Sequence, residues 1–250
     1  MTPTTGTWRI LDDAVEVARV AARHVEAAAR AAIERAGRFN LVLAGGSSPR
    51  RTYELLSERG RIDWDRVHVF WSDERCVPPD DPASNYRMAI VTLFARTAPP
   101  AGNVHRIQAE RGALQAATQY DDELVRFFGA GQPGPMVQPA FDLVLLGVGA
   151  DGHTASLFPG GPGLTSPSWV APARAPVGAE PAERVTLTLA AIAAAAEVLF
   201  IVTGATKRDV VARILSPEGS ELPAARVTAR GVGWLLDRQA GADLHEQQQS

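Results

Sequence analysis

Residues 141–160 read FDLVLLGVGADGHTASLFPG. An apolar run closes on Gly147 and Gly149 and gives way to Asp151-Gly152-His153. A short apolar segment bounded by glycine and followed by polar residues is the pattern of a strand buried on both faces by crossover helices. The same pattern recurs in FNLVLAGG (39–46), VHVFWSDE (67–74) and EVLFIVTG (197–204). Four such runs, each followed by a helix-like or polar segment, predict an α/β fold with a mostly parallel sheet.

Outward from those runs, Val15, Ala18, Ala22, Val25, Ala29 and Ile33 recur every three or four positions, with Asp12 and Asp13 ahead and Gly37 behind. That spacing predicts one long amphipathic helix. The chain has 250 residues, 46% of them hydrophobic, enough for one large domain or two small ones. The Gly- and Pro-rich stretches 129–139 and 159–183 each have a strand candidate on both sides, so they read as surface loops within one domain spanning 1–250. The polar tail, 241–250, is expected to fray.

The formal charge is -3, and charged residues of both signs are mixed along the chain. No electrostatic footprint for nucleic acid or membrane follows from that. The first ten residues lack the regions of a secretory signal, and no apolar run reaches the roughly 18 residues of a spanning helix. A cytoplasmic protein with a small-molecule partner, and no obligatory protein partner, is the expectation. Cys76 is the only cysteine and the five histidines show no metal-ligand spacing, so neither a metal nor a redox role is expected.

Ligands of open parallel sheets bind beyond the carboxyl ends of the strands. The residues there are Gly45-Gly46-Ser47-Ser48-Pro49, Ser72-Asp73-Glu74-Arg75, Gly149 to His153, and Thr203-Gly204-Ala205-Thr206-Lys207. Gly45, Gly46 and Ser47 precede a helix that Ser48 would cap and Pro49 would open. This is either a plain strand-to-helix turn or a cradle of backbone N–H groups for an anion; its spacing is neither Walker A nor GxGxxG. Arg75 can fork onto phosphate oxygens and Asp73 can accept from sugar hydroxyls, whereas the same run elsewhere would be a solvated strand end. Lys207 is the only lysine in a chain that otherwise uses arginine, which suggests a point-charge contact on an anion or a chance surface lysine.

Asp151 stands where it would cap a helix, with His153 in the first turn. A helix N-terminus disfavours a second positive charge, so the imidazole would stay neutral at pH 7 and able to take a proton. The alternative is a histidine that only hydrogen-bonds its turn. His24 falls on the predicted helix, His68 within a strand, and His105 and His245 away from the strand ends.

LAGGSSPRRTYELL, FWSDERCVPPDDPASNYRMA, GVGADGHTASLFPG, ERVTLTLAAI and VLFIVTGATKRDVVARIL together resemble the 6-phosphogluconolactonase family in order and spacing, over nearly the whole chain. The resemblance implies a Rossmann-like three-layer α/β/α domain shared with glucosamine-6-phosphate deaminases. It implies hydrolysis of 6-phosphogluconolactone in the oxidative pentose phosphate pathway, without metal or coenzyme. By motif position it implies His153 at the lactone carbonyl and Gly45, Gly46, Ser47, Arg75 and Lys207 around phosphate and sugar. Family members often carry Lys-Pro-Pro-Pro before the RVTLT strand, and APVGAEPAERVTLT departs from it. No G-x-S-x-G elbow is present, so a serine nucleophile has no candidate. A deaminase or isomerase is the rival reading, but Phe158 stands where that branch resembles DGHxAFNEP with a glutamate, and Arg75 where it has a tyrosine. A sugar-phosphate sensor is the other rival, and the ten or so residues ahead of the first helix leave no room for a DNA-binding module.

Overall fold

The computed structural model describes residues 6–97, 99–129 and 141–244. In chain order its strands are β1 (Thr7–Leu11), β2 (Phe39–Leu43), β3 (Val67–Trp71), β4 (Asp73–Arg75), β5 (Val104–His105), β6 (Leu143–Leu146), β7 (Val170–Arg174), β8 (Glu183–Leu187), β9 (Glu197–Val202) and β10 (Gly231–Asp237). Seven of them form one sheet in the order β1-β10-β9-β6-β2-β3-β5, with every pairing parallel. The four expected strands are its centre, β9-β6-β2-β3. Every residue of β2 and β6 is buried, which requires cover on both faces and accounts for the unbroken apolar runs. The fold is an α/β fold around a mostly parallel sheet, as expected.

The long helix α1 spans Ala14–Ala36. Asp13 caps it by accepting the Glu16 N–H at 2.8 Å, and Gly37 closes it in the left-handed conformation. Its buried face is Val17, Ala18, Val20, Ala21, Ala22, Val25, Ala29 and Ala32, while Val15, expected on that face, lies exposed. Helix α2 (Ser47–Arg59) packs against α1, and α3 (Asn85–Thr92) against α2. Helix α4 (Ala113–Gly129) packs on β7 and β8. Two short helices, α5 (Leu189–Ala193) and α6 (Arg208–Ile214), follow β8 and β9.

Two expectations about loops are corrected. The stretch 159–183 is no continuous surface loop: it holds a turn at Pro162–Leu164 and then β7, which pairs antiparallel with β8, itself paired antiparallel with β4. Pro172 hid this strand, because proline lacks the N–H of a ladder; β7 is the edge of the three-stranded sheet, where proline is tolerated. Helix α2 starts two residues earlier than expected, at Ser47 rather than Pro49, and its cap position is Gly46 with φ 99°, not Ser48. The stretch expected as a loop over 129–139 lies, past Gly129, outside the described residues. Of the tail, 241–244 turns back on itself through hydrogen bonds from Gly241 to Asp237 and from Leu244 to Gly241; 245–250 lies outside the described residues.

Candidate functional site

The ends of β2, β3, β6 and β9 meet at one cavity of about 260 Å³. Gly45, Gly46, Ser47, Asp73, Arg75, His153 and Lys207 all line it. Asp151 is not in its wall but holds the ring of His153. Two loops are tied across the mouth of β6, because the Ser48 hydroxyl lies 2.9 Å from that of Thr203. Freed from capping, Ser48 leaves the N–H groups of Gly46, Ser47 and itself at the start of α2, where no turn of helix precedes them to accept. Pro49 removes the next donor. Gly45 must be glycine here, since a Cβ would fall 2.1 Å from Oδ1 of Asn85.

The segment after β6 is not a helix, which corrects the expectation for Asp151 and His153. Residues 147–160 run through turns and a single bridge between Thr154 and Leu157. Gly152 at φ 83° and Ala155 at φ 49° are both left-handed, a backbone that no right-handed helix contains. No helix N-terminus therefore stands at the imidazole, contrary to expectation. In its place, Oδ1 of Asp151 lies 2.5 Å from Nδ1 of His153 and 3.2 Å from its backbone N–H. Partial burial alone would raise the Asp151 pKa, but the charge of His153 and its hydrogen bonds outweigh this and hold the carboxyl below its ordinary value. An ionised carboxylate accepts, so Nδ1 carries the proton and Nε2 of a neutral ring keeps its lone pair. The ring also rests on Phe158, with centroids 4.7 Å apart, and on Gly149, where a Cβ would meet the ring at 2.1 Å.

The DER triplet divides its labour. Glu74 is buried at the start of α3, where it accepts from the Ser84 hydroxyl and from the N–H groups of Arg75, Asn85 and Tyr86. Burial raises its pKa in spite of those donors. Arg75 donates to the carbonyl of Ala83 at 2.5 Å. Asp73 is 5% exposed and accepts from Ser156, Asn85 and Ser72.

Arg184 was not singled out in the sequence. It lines the cavity from β8, directly opposite Arg75 in the β4–β8 ladder. Burial, and then the like charge of Arg75, lower its pKa. The sequence signal was a basic residue inside the otherwise apolar-alternating ERVTL. With Lys207, which ends a single turn at Ala205–Lys207 before α6 and not a helix, three cations border one concavity. Cys76 does not line it; burial, and then Glu183 and Glu74, push its thiol up to about 11. Among the described residues no group of three or more His, Cys, Asp or Glu side chains is arranged to hold a metal ion, and no helix is long and apolar enough to cross a membrane.

The chain is 40% identical over 218 residues to the 6-phosphogluconolactonase of Nostoc sp., covering 85% of this chain and 88% of that one. Among solved structures, the devB protein superposes with a TM-score of 0.83 at 33% identity, covering 96% of this chain and 99% of that one. The 6-phosphogluconolactonase of Trypanosoma brucei superposes with a TM-score of 0.82 at 28% identity, with the same coverage, 96% and 99%. The profile of glucosamine-6-phosphate isomerases/6-phosphogluconolactonase matches residues 12–235, nearly the whole chain, and the protein belongs to that family.

Proposed function

We propose that this chain hydrolyses 6-phospho-D-glucono-1,5-lactone to 6-phosphogluconate, the step of the oxidative pentose phosphate pathway for which its relatives are named. The observation that carries the reading is one cavity with two chemistries. A carboxylate-oriented imidazole, His153 on Asp151, stands in the same wall as Arg75, Arg184 and Lys207. The cations and the N–H groups at the start of α2 take the phosphate dianion. The lactone carbonyl then lies at His153. Nε2 takes a proton from a water attacking C1 and returns it to the ring oxygen as the C1–O bond breaks, leaving an open-chain acid. Asp151 keeps the ring in the tautomer this requires and stabilises the imidazolium that forms.

Deamination or isomerisation of an amino sugar phosphate would use the same cradle. Phe158 argues against it, because a buried phenyl packs on His153 where that branch's carboxylate would stand. Purified protein assayed side by side against 6-phosphogluconolactone and glucosamine 6-phosphate tests the reading. Turnover of the lactone alone is expected; release of ammonia from the amino sugar, without lactone opening above the spontaneous rate, overturns it.

A further inference from the structure

Asp73 looks like a substrate ligand or a spare base, since it is an acid in the cavity wall. Its oxygens are already engaged. Oδ2 accepts the Ser156 hydroxyl at 2.6 Å, and Oδ1 accepts Nδ2 of Asn85 at 3.0 Å. Ser156 is fixed a second time, its N–H donating to Oγ1 of Thr186 at 3.2 Å. Both Ser156 and Asp73 are buried.

Next to Ser156 stands Ala155, the non-glycine residue with positive φ among the described residues, at 49°. For alanine that conformation is strained and persists only where its surroundings impose it. Its other neighbour, Thr154, is held too, its hydroxyl donating to the carbonyl of Gly147 at 2.7 Å. Ala155 is therefore clamped between two hydrogen bonds, one buried and one partly buried, and His153 lies two residues before it on the same tightly turned segment.

We propose that Asp73 is a positioning residue: by accepting the Ser156 hydroxyl it holds Ala155 left-handed and so fixes the segment that presents His153 to the cavity. It neither binds the sugar nor moves a proton. The kinetic part of this inference rests on the lactonase reading, and the structural part stands without it.

Three substitutions in the full chain separate the roles. Asp73→Asn keeps both contacts, with Oδ1 facing Asn85 and the amide donating to the Ser156 oxygen, so kcat stays within about fivefold of wild type. Ser156→Ala leaves the Asp73 carboxylate in place but cuts the tie; kcat falls by about 10- to 100-fold while KM for the lactone changes little, as misplacement of a reacting group requires. If Asp73 instead acts directly, Asp73→Asn is the damaging change and Ser156→Ala is close to wild type, and the proposal is overturned. Ala155→Gly combined with Ser156→Ala recovers thermal stability lost in Ser156→Ala, because glycine needs no clamp to stay left-handed; absence of recovery counts against the strain argument.

The positioning role also has a readout that needs no substrate. The His153 imidazole Nδ1–H resonance of ligand-free protein is expected to be sharp in wild type and Asp73→Asn, and broadened in Ser156→Ala. An unchanged resonance in Ser156→Ala refutes the positioning role whatever the substrate is. A wild type that shows this pattern but opens no lactone refutes only the proposed function.

Discussion

Arg75 and Arg184 face each other across the β4–β8 ladder, two like charges paired in register at one side of the cavity. Like charges directly opposite on a ladder are destabilising. Asp73 and Glu74 offset part of the repulsion at Arg184, and a bound dianion would offset the rest. On the proposed function that dianion is the substrate phosphate.

Removing that phosphate from the substrate should be costly. Two charge-assisted contacts are worth about 3 kcal/mol together, so unphosphorylated gluconolactone is expected to have a kcat/KM lower by about a hundredfold or more. Arg184→Gln should raise KM for the phosphorylated lactone with less effect on kcat. Equal kcat/KM for the two lactones would contradict the cradle.

Gly149 supports the imidazole from beneath. A methyl group there would lie 2.1 Å from Cε1 and Nδ1 of His153 and 2.8 Å from Oδ1 of Asp151. Gly149→Ala should therefore displace the ring and lower kcat by about 10²-fold, with binding of 6-phosphogluconate retained. Its backbone is not left-handed, so the change tests the ring's position and not chain strain. Wild-type kcat in this variant would show that the ring position is not limiting.

Four strands and the first helix were legible in the sequence because each follows from local pattern: continuous apolar runs for β2, β3, β6 and β9, and Asp13 and Gly37 bracketing α1. The loss of the expected helix after β6 has a local cause too. Asp-Gly-His-Thr has the residues of a helix start, yet Gly152 and Ala155 turn left-handed, and the second of these depends on Asp73, 83 residues away from Ser156. Arg184 was not legible for a similar reason. It belongs to the site through its register opposite Arg75 rather than by following a strand end, and register between distant strands is set by packing.

A histidine pair at the opposite margin predicts acid sensitivity of the fold. Nδ1 of His68 lies 3.1 Å from Nε2 of His105, which is held through Nδ1 by Glu123 at 2.7 Å. Burial, then His105, then Arg38 lower the His68 pKa to about 4. In the unfolded chain the value is about 6.5. Between those values the unfolded state binds more protons, so stability falls as pH drops from about 6.5 towards 4. Melting temperature measured across that range should decline, and His68→Gln should flatten the decline; an unchanged slope would assign it elsewhere.

Cys76 should be a slow nucleophile. With its thiol pushed up to about 11, the thiolate is scarce at neutral pH, and the alkylation rate should climb about tenfold per pH unit through the alkaline range. Rapid labelling at pH 7 would contradict the burial argument. Activity is expected to survive labelling and also exhaustive chelation with EDTA, since no step of the proposed mechanism uses the thiol or a metal.

The most direct test of the account is the turnover of His153→Ala, measured beside its affinity for 6-phosphogluconate and corrected for spontaneous opening of the lactone. Loss of a positioned general base should lower kcat by about 10² to 10⁴, while the product still binds, because Arg75, Arg184, Lys207 and the start of α2 are untouched. Asp151→Asn should follow in the same direction, since an amide can donate to Nδ1 and leave the proton on Nε2. A folded His153→Ala protein with near-normal kcat would remove the imidazole from the chemistry and contradict the mechanism outright.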